Sequence, residues 1–194
     1  MELKVISFMQ IGTSNADDHC YNFVKDKDIE FGVLVEPMIE MMDLAKKCYG
    51  SLLEEKNINT ETIAIVPEDR KKDKVTIYYH WPNTAFNSIF KEHTNSFDQP
   101  DELKSFEVDA MTINQLFAKY SVTTLDHLFI DTEGLDGEIL MSIDLNKYSI
   151  KEIIFEHGHL HRGKYGHSEL RNKFEFFGYT FKKLDGLNTR IRLR

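Results

Sequence analysis

A chain of 194 residues has the size of one globular domain, so one core spanning residues 1–194 is expected, with no independent second unit. The net charge of −8 argues against long-range attraction to a phosphate backbone, while 41% hydrophobic residues, 14 Phe and 8 Tyr among them, can fill an interior. No apolar run approaches the roughly 20 residues of a membrane helix. The amino terminus lacks a basic start followed by an apolar stretch, and Cys20 and Cys48 are too few for a disulfide framework. A cytoplasmic protein with reduced thiols is the expectation.

Short apolar runs alternate with helical patterns. Val5 to Ile11 reads as a buried strand stopped by Gly12, followed by a helix over 17–26 with Asp17 or Asp18 as cap. Gly32 to Val35 is a second strand ending in Glu36-Pro37. A long helix then runs from about Met38 to Glu55, with Met41, Leu44, Ala45, Cys48, Leu52 and Leu53 as its core stripe. Thr62 to Val66 reads as the third strand, and Lys74 to His80 alternates as a further one. Residues 81–104 are mostly polar, with Pro82 and Pro100, and read as an extended insert holding at most one short helix.

Thr112 to Tyr120 is a helix with Thr112 as cap. Leu125 to Ile130 is a strand, Gly137 to Ile143 a short helix and Glu152 to Phe155 the next strand. Ser168 to Phe177 is a helix stopped by Gly178. Tyr179 to Leu184 and Thr189 to Leu193 close the chain around Asp185-Gly186, too tightly joined for a crossover and so antiparallel. The alternation predicts an α/β fold: a doubly wound, mainly parallel sheet with an antiparallel carboxyl-terminal strand pair.

Open α/β sheets bind ligands outside the carboxyl ends of their strands, and the unusual residues of this sequence cluster there. Gln10-Ile11-Gly12-Thr13-Ser14-Asn15 ends the first strand. Gly12 permits a sharp turn and close ligand approach, and the following helix would offer free N–H groups. Glu36 follows Gly12 by 24 residues, near the spacing at which an acid accepts bonds from ribose hydroxyls. The G-x-G-x-x-G signature is absent, which suits a nucleoside without a pyrophosphate; an ordinary strand–helix turn would also explain the glycine.

Asp131 and Glu133 follow a hydrophobic strand, and their shared parity would aim them the same way if the strand persisted. Such a pair could hold an ammonium group, bind a metal or supply a base; a helix cap with acids in its first turn is the bland alternative. His157, His159 and His161 alternate after the next strand. A three-histidine metal site is conceivable, but Gly158 and Gly163 argue for a loop, so no metal ligand is assigned. His157, at the strand end, is the favoured proton acceptor.

The segments Gln10-Ile11-Gly12, Val35-Glu36-Pro37, Phe106-Glu107-Val108 before Thr112 to Leu116, and above all Ile130-Asp131-Thr132-Glu133-Gly134 with Glu138-Ile139-Leu140 resemble the FkbM-type methyltransferases. The likeness runs in order from Val5 to His157, with an echo at Phe177-Gly178-Tyr179. It implies the Rossmann-like class I methyltransferase fold and S-adenosylmethionine as cofactor; a divalent metal is possible but not expected. The transfer implied is of a methyl group to a hydroxyl of a sugar, glycan or related small molecule. By the same resemblance, Gln10, Ile11, Gly12, Thr13, Asn15, Glu36, Pro37 and Asp131 form the cofactor site, and Asp131, Glu133 and His157 the catalytic group. The insert would contact the acceptor, with His80, Trp81 and Phe86 against a sugar face and Asn83 and Asn87 on its hydroxyls. The sequence departs from the pattern at Gln10, where an acid is frequent, and at Ala16, where a small glycine is. A non-catalytic relative that binds a nucleoside or a protein is the rival reading. Neither a nucleic-acid nor a membrane partner is expected.

Overall fold

In the computed structural model, residues 5–16, 19–81, 87–95 and 102–194 are described. The elements in chain order are β1 (Ile6–Ile11), α1 (His19–Val24), β2 (Ile29–Val35), α2 (Ile39–Tyr49), α3 (Leu52–Glu55), β3 (Ile58–Glu61), β4 (Ala64–Val66) and β5 (Lys74–Trp81). There follow α4 (Lys91–Asn95), β6 (Glu102–Thr112), α5 (Ile113–Lys119), β7 (Thr124–Ile130), α6 (Asp136–Ser142), β8 (Ser149–Glu156), α7 (His167–Phe176), β9 (Tyr179–Lys183) and β10 (Asn188–Leu193).

Seven strands form one sheet in the order β3-β2-β1-β7-β8-β10-β9. The first five are parallel to their neighbours, and β10 runs antiparallel to both β8 and β9. The order reverses at β1, whose two neighbours are β2 and β7, so a crevice opens where their carboxyl ends diverge. β1 is buried on both faces, which is why it reads as a continuous apolar run. Alternation divides the core between the faces: Met9, Val33, Leu128 and Ile153 belong to one cluster, and Phe8, Leu34 and Phe129, with Met42, Ala45 and Tyr49 of α2, to the other.

A second sheet of three strands, in the order β4-β6-β5, stands beside the first. The two longest of these pair antiparallel from Lys74↔Asp109 to Trp81↔Glu102, and β4 joins β6 in parallel.

Four expectations change. The third strand of the main sheet is Ile58–Glu61, and the apolar run read as that strand becomes β4 of the second sheet. Ile58–Glu61 lies at the sheet edge, where Asn59, Thr60 and Glu61 suffice and no apolar signal is needed. The long helix over 38–55 breaks at Gly50, whose φ of 51° ends α2 and whose amide caps the carbonyl of Lys46. Its buried face is Met42, Ala45 and Tyr49; of the expected stripe, Ala45 is buried and Cys48, Leu52 and Leu53 pack against the same cluster, whereas Leu44 is 42% exposed. Finally, the end of the insert read as loop is strand: β6 starts at Glu102 and covers the 102–112 stretch. Asp17, Asp18 and residues 82–86 and 96–101 lie outside the described residues.

The helix over 112–120 forms as expected. Thr112 caps it with a complete capping box: its hydroxyl accepts from the amide of Gln115, and the Gln115 side chain accepts from the amide of Thr112.

Candidate active site

A cavity of about 220 Å³ opens at the carboxyl ends of β1, β2 and β7, roofed by β4, β5 and the 87–89 segment. Ile11, Gly12, Glu36, Pro37, Asp131 and Glu133 line it, as the strand-end reading expected. Ser14, Ile63, Ala64, Ile65, Ile77, Asn87, Ser88 and Thr132 line it too, and these were not anticipated as a group. Most of them come from the second sheet and its connection, whose position no local sequence signal discloses. Ser14 was one residue from two positions that were named. Gln10, Thr13 and Asn15 fall outside the lining: Gln10 and Thr13 are buried, and Asn15 is exposed.

Gly12 cannot carry a side chain. Its φ is 80°, and a Cβ there would lie 1.7 Å from the carbonyl oxygen of Asp131. The requirement is thus close approach between two backbone turns, those ending β1 and β7. The amide of Asp131 also donates to the carbonyl of Ile11, binding the same two turns together.

The helix after Gly12 does not present its amides to the cavity. α1 has only six residues and begins seven positions later. The amides of Gly12 and Thr13 both donate to the carbonyl of Val35, at 2.9 and 3.0 Å. The next amide, that of Ser14, donates to Glu36 Oε2 at 2.8 Å, and Met38 N–H donates to Oε1 at 2.9 Å. Glu36 is 4% exposed and holds the glycine turn against the end of β2. Burial pushes its carboxyl up to about 7, and the charge of Asp131 adds to the rise while the two amide bonds oppose it. Each carboxylate oxygen spends one lone pair on an amide and retains acceptor capacity on the cavity side.

The Asp131-Thr132-Glu133-Gly134 segment is a turn, not a strand extension. β7 ends at Ile130, Glu133 has φ 51° and Gly134 φ 109°. Parity therefore does not set the direction of the two acids. Buried Asp136 shapes the turn instead, accepting from Thr132 N–H, Thr132 Oγ1–H and Gly134 N–H. Its carboxyl is held well above the usual range by burial and by the charge of Asp131. Ser88 Oγ donates to the carbonyl of Glu133 at 3.1 Å, fastening the roof to the turn. Asn87 Oδ1 is buried beside the cavity without a hydrogen-bond partner. Its neighbour in the expected sugar-binding set, His80, is only 8% exposed. The side chains of Trp81, Asn83 and Phe86 lie outside the described residues.

The three histidines separate. His157 leaves the cavity: its Nδ1 lies 3.1 Å from Thr189 Oγ1 and its ring packs 5.1 Å from that of His167. Burial and then Lys183 hold it below the ordinary histidine value. His161 is exposed, with Nδ1 near the carbonyl of Gly158. His159 is the one that meets the acids, with Nε2 3.5 Å from Glu133 and 3.7 Å from Glu156. Glu156 ends β8 next to His157, and its place in a plain apolar strand gives no sequence signal that sets it apart. Burial, then the charges of Asp131 and Glu133, push its carboxyl up to about 8.

A sheet in this strand order, with its cleft at the reversal point, has the class I methyltransferase fold. The chain belongs to the FkbM methyltransferase family: the methyltransferase FkbM domain matches residues 10–181. Among curated proteins none matches the chain. Of solved structures, the methyltransferase domain of METTL16 superposes with a TM-score of 0.55 at 9% identity, over 98% of this chain and 60% of that one. The methyltransferase FkbM from Methylobacillus flagellatus KT superposes with a TM-score of 0.52 at 12% identity, over 98% of this chain and 44% of that one. The chain thus spans 60% or less of the length of these two relatives in fold. No helix among the described residues is long and apolar enough to cross a membrane.

Proposed function

We propose that the chain binds S-adenosylmethionine in the cleft and transfers its methyl group to a hydroxyl of a sugar or related polyol. The observation that carries this reading is Glu36, buried at the end of β2, fixed by two amides and still able to accept from a pair of ribose hydroxyls. Further support comes from the Asn87 Oδ1 atom left without a partner in the same cavity, and from apolar Ile63, Ile65 and Ile77, which suit a flat base.

S-adenosylmethionine supplies a methyl group on a positively charged sulfur. The residues of this chain hold and orient. The carboxylates of Asp131 and Glu133 favour a cation at the inner end of the cleft. Gly12 keeps the β1 turn clear of bulk. In the transfer the acceptor hydroxyl oxygen would take the methyl group from sulfur, which would keep the bonding electron pair, and a carboxylate of this chain would take the hydroxyl proton. Asp131 is the acceptor we assign, because it lines the cavity and is exposed to an incoming hydroxyl. His157, the other base the sequence suggested, is turned toward Thr189 and His167.

The test is incubation with methyl-labelled S-adenosylmethionine and a panel of sugars and polyols, read by mass spectrometry of the acceptors. A labelled methyl ether is expected, with Asp131→Asn lowering turnover about 100-fold, the scale of a lost general base. Cofactor binding without transfer to any hydroxyl would favour the non-catalytic reading, and label on a nucleic-acid base would replace the acceptor class.

A further inference from the structure

Glu133, Glu156 and His159 come from two strand ends, those of β7 and β8, and each presents one donor atom within 4.8 Å of the other two. The separations from His159 Nε2 to the carboxylates, 3.5 and 3.7 Å, are long for hydrogen bonds. They are close to the distance between two donors that share one cation, about 3.4 Å when each donor sits ~2.1 Å from it in tetrahedral geometry. All three side chains are partly buried, at 20%, 12% and 19% exposed. A second observation points the same way: Glu156 Oε2 is shielded from solvent and has no hydrogen-bond partner. A carboxyl oxygen in that condition is costly unless a proton, a donor or a cation meets it. Gly158 keeps the space beside this carboxylate open, since a Cβ there would come within 3.2 Å of Glu156 Oε1.

We propose that Glu133, Glu156 and His159 form a divalent-cation site adjoining the cofactor cleft. Two carboxylates and one imidazole favour Mn²⁺ or Zn²⁺ over Ca²⁺, which takes oxygen donors and more of them. Three protein donors leave positions open for oxygen ligands. Glu133 also lines the cleft, so the site borders it. There the cation holds an acceptor hydroxyl and eases loss of its proton to Asp131. This role rests on the methyltransferase reading; the binding of the cation does not.

The experiment is titration of the protein with Mn²⁺, followed by the loss of the free-ion electron paramagnetic resonance signal, for wild type, His159→Ala and Glu156→Gln. Each sample is also titrated calorimetrically with S-adenosylhomocysteine, which reports folding and the cofactor site separately. One Mn²⁺ per chain is expected for wild type, with affinity at least tenfold weaker in both variants and S-adenosylhomocysteine binding retained. Wild type that binds S-adenosylhomocysteine but not Mn²⁺, or variants that bind Mn²⁺ as wild type does, would overturn the metal site. Mn²⁺ binding lost in the variants, without S-adenosylhomocysteine binding in wild type, would support the metal site and remove its methyltransferase role.

Discussion

Glu36 joins two requirements that oppose each other at the scale of one residue. Burial favours its neutral form, whereas its two amide donors and a ribose favour the charged one. Its carboxyl titrates near 7 in the folded chain against an ordinary value of 4.5, so between those values the folded state holds a proton that the unfolded state has lost. Stability from this group is therefore present below about 4.5 and declines as pH rises towards 7. A shift of that size corresponds to about 3 kcal/mol. Urea unfolding of wild type and Glu36→Gln at pH 5 and pH 8 should show the variant gaining on wild type by up to that amount at pH 8. An unchanged difference between the two pH values would contradict the burial argument.

Gly12 makes a sharper case. Substitution by alanine puts a methyl group 1.7 Å from the Asp131 carbonyl, so the β1 and β7 turns must separate. Gly12→Ala is expected to lose more than ~2 kcal/mol of stability and most of its cofactor affinity, measured by unfolding and calorimetry. Near-wild-type behaviour in both would show that the turns are not held together as described.

Among the elements, α5 is the clearest instance of local sequence deciding structure. Thr112 and Gln115 cap each other, and Ile113, Leu116 and Phe117 bury one face. Thr112→Ala should cost about 1 kcal/mol and leave cofactor affinity unchanged, because Thr112 does not line the cavity. The strands of the parallel centre were equally legible: β1, β2, β7 and β8 are apolar runs that end in turn residues. The second sheet was not. β6 alternates between exposed and half-buried positions, and its Glu, Lys, Ser and Asp residues give no apolar run to count. It is a strand because β5 and β4 pair with it, a tertiary cause that local composition does not carry. The same cause hid Ile77 and Ser88 from the sequence reading of the site, although Asn87 beside them was expected there. The direction of Asp131 and Glu133 was hidden by turn chemistry, which Asp136 enforces from three residues downstream of Glu133.

For the whole molecule, the position of the cleft follows from topology alone: the order reverses between β2 and β7 around β1, and the acids lie where the ends part. Which histidine meets those acids does not follow from alternation, because the chain leaves β8 in a loop and only His159 turns back. The net charge of −8 bears on the acceptor. With no excess of cations to release counterions, the chain should bind single-stranded or duplex RNA no better than millimolar at 0.15 M salt, as read by fluorescence anisotropy. Micromolar RNA binding with a steep salt dependence would contradict a polyol acceptor.

The central claim is that Glu36 and the Gly12 turn hold the nucleoside of S-adenosylmethionine, and calorimetric titration with S-adenosylhomocysteine tests it most directly. Wild type should bind one equivalent with micromolar affinity, and Glu36→Ala should bind at least tenfold more weakly while unfolding cooperatively. No binding by wild type, or equal binding by a folded Glu36→Ala variant, would contradict the account.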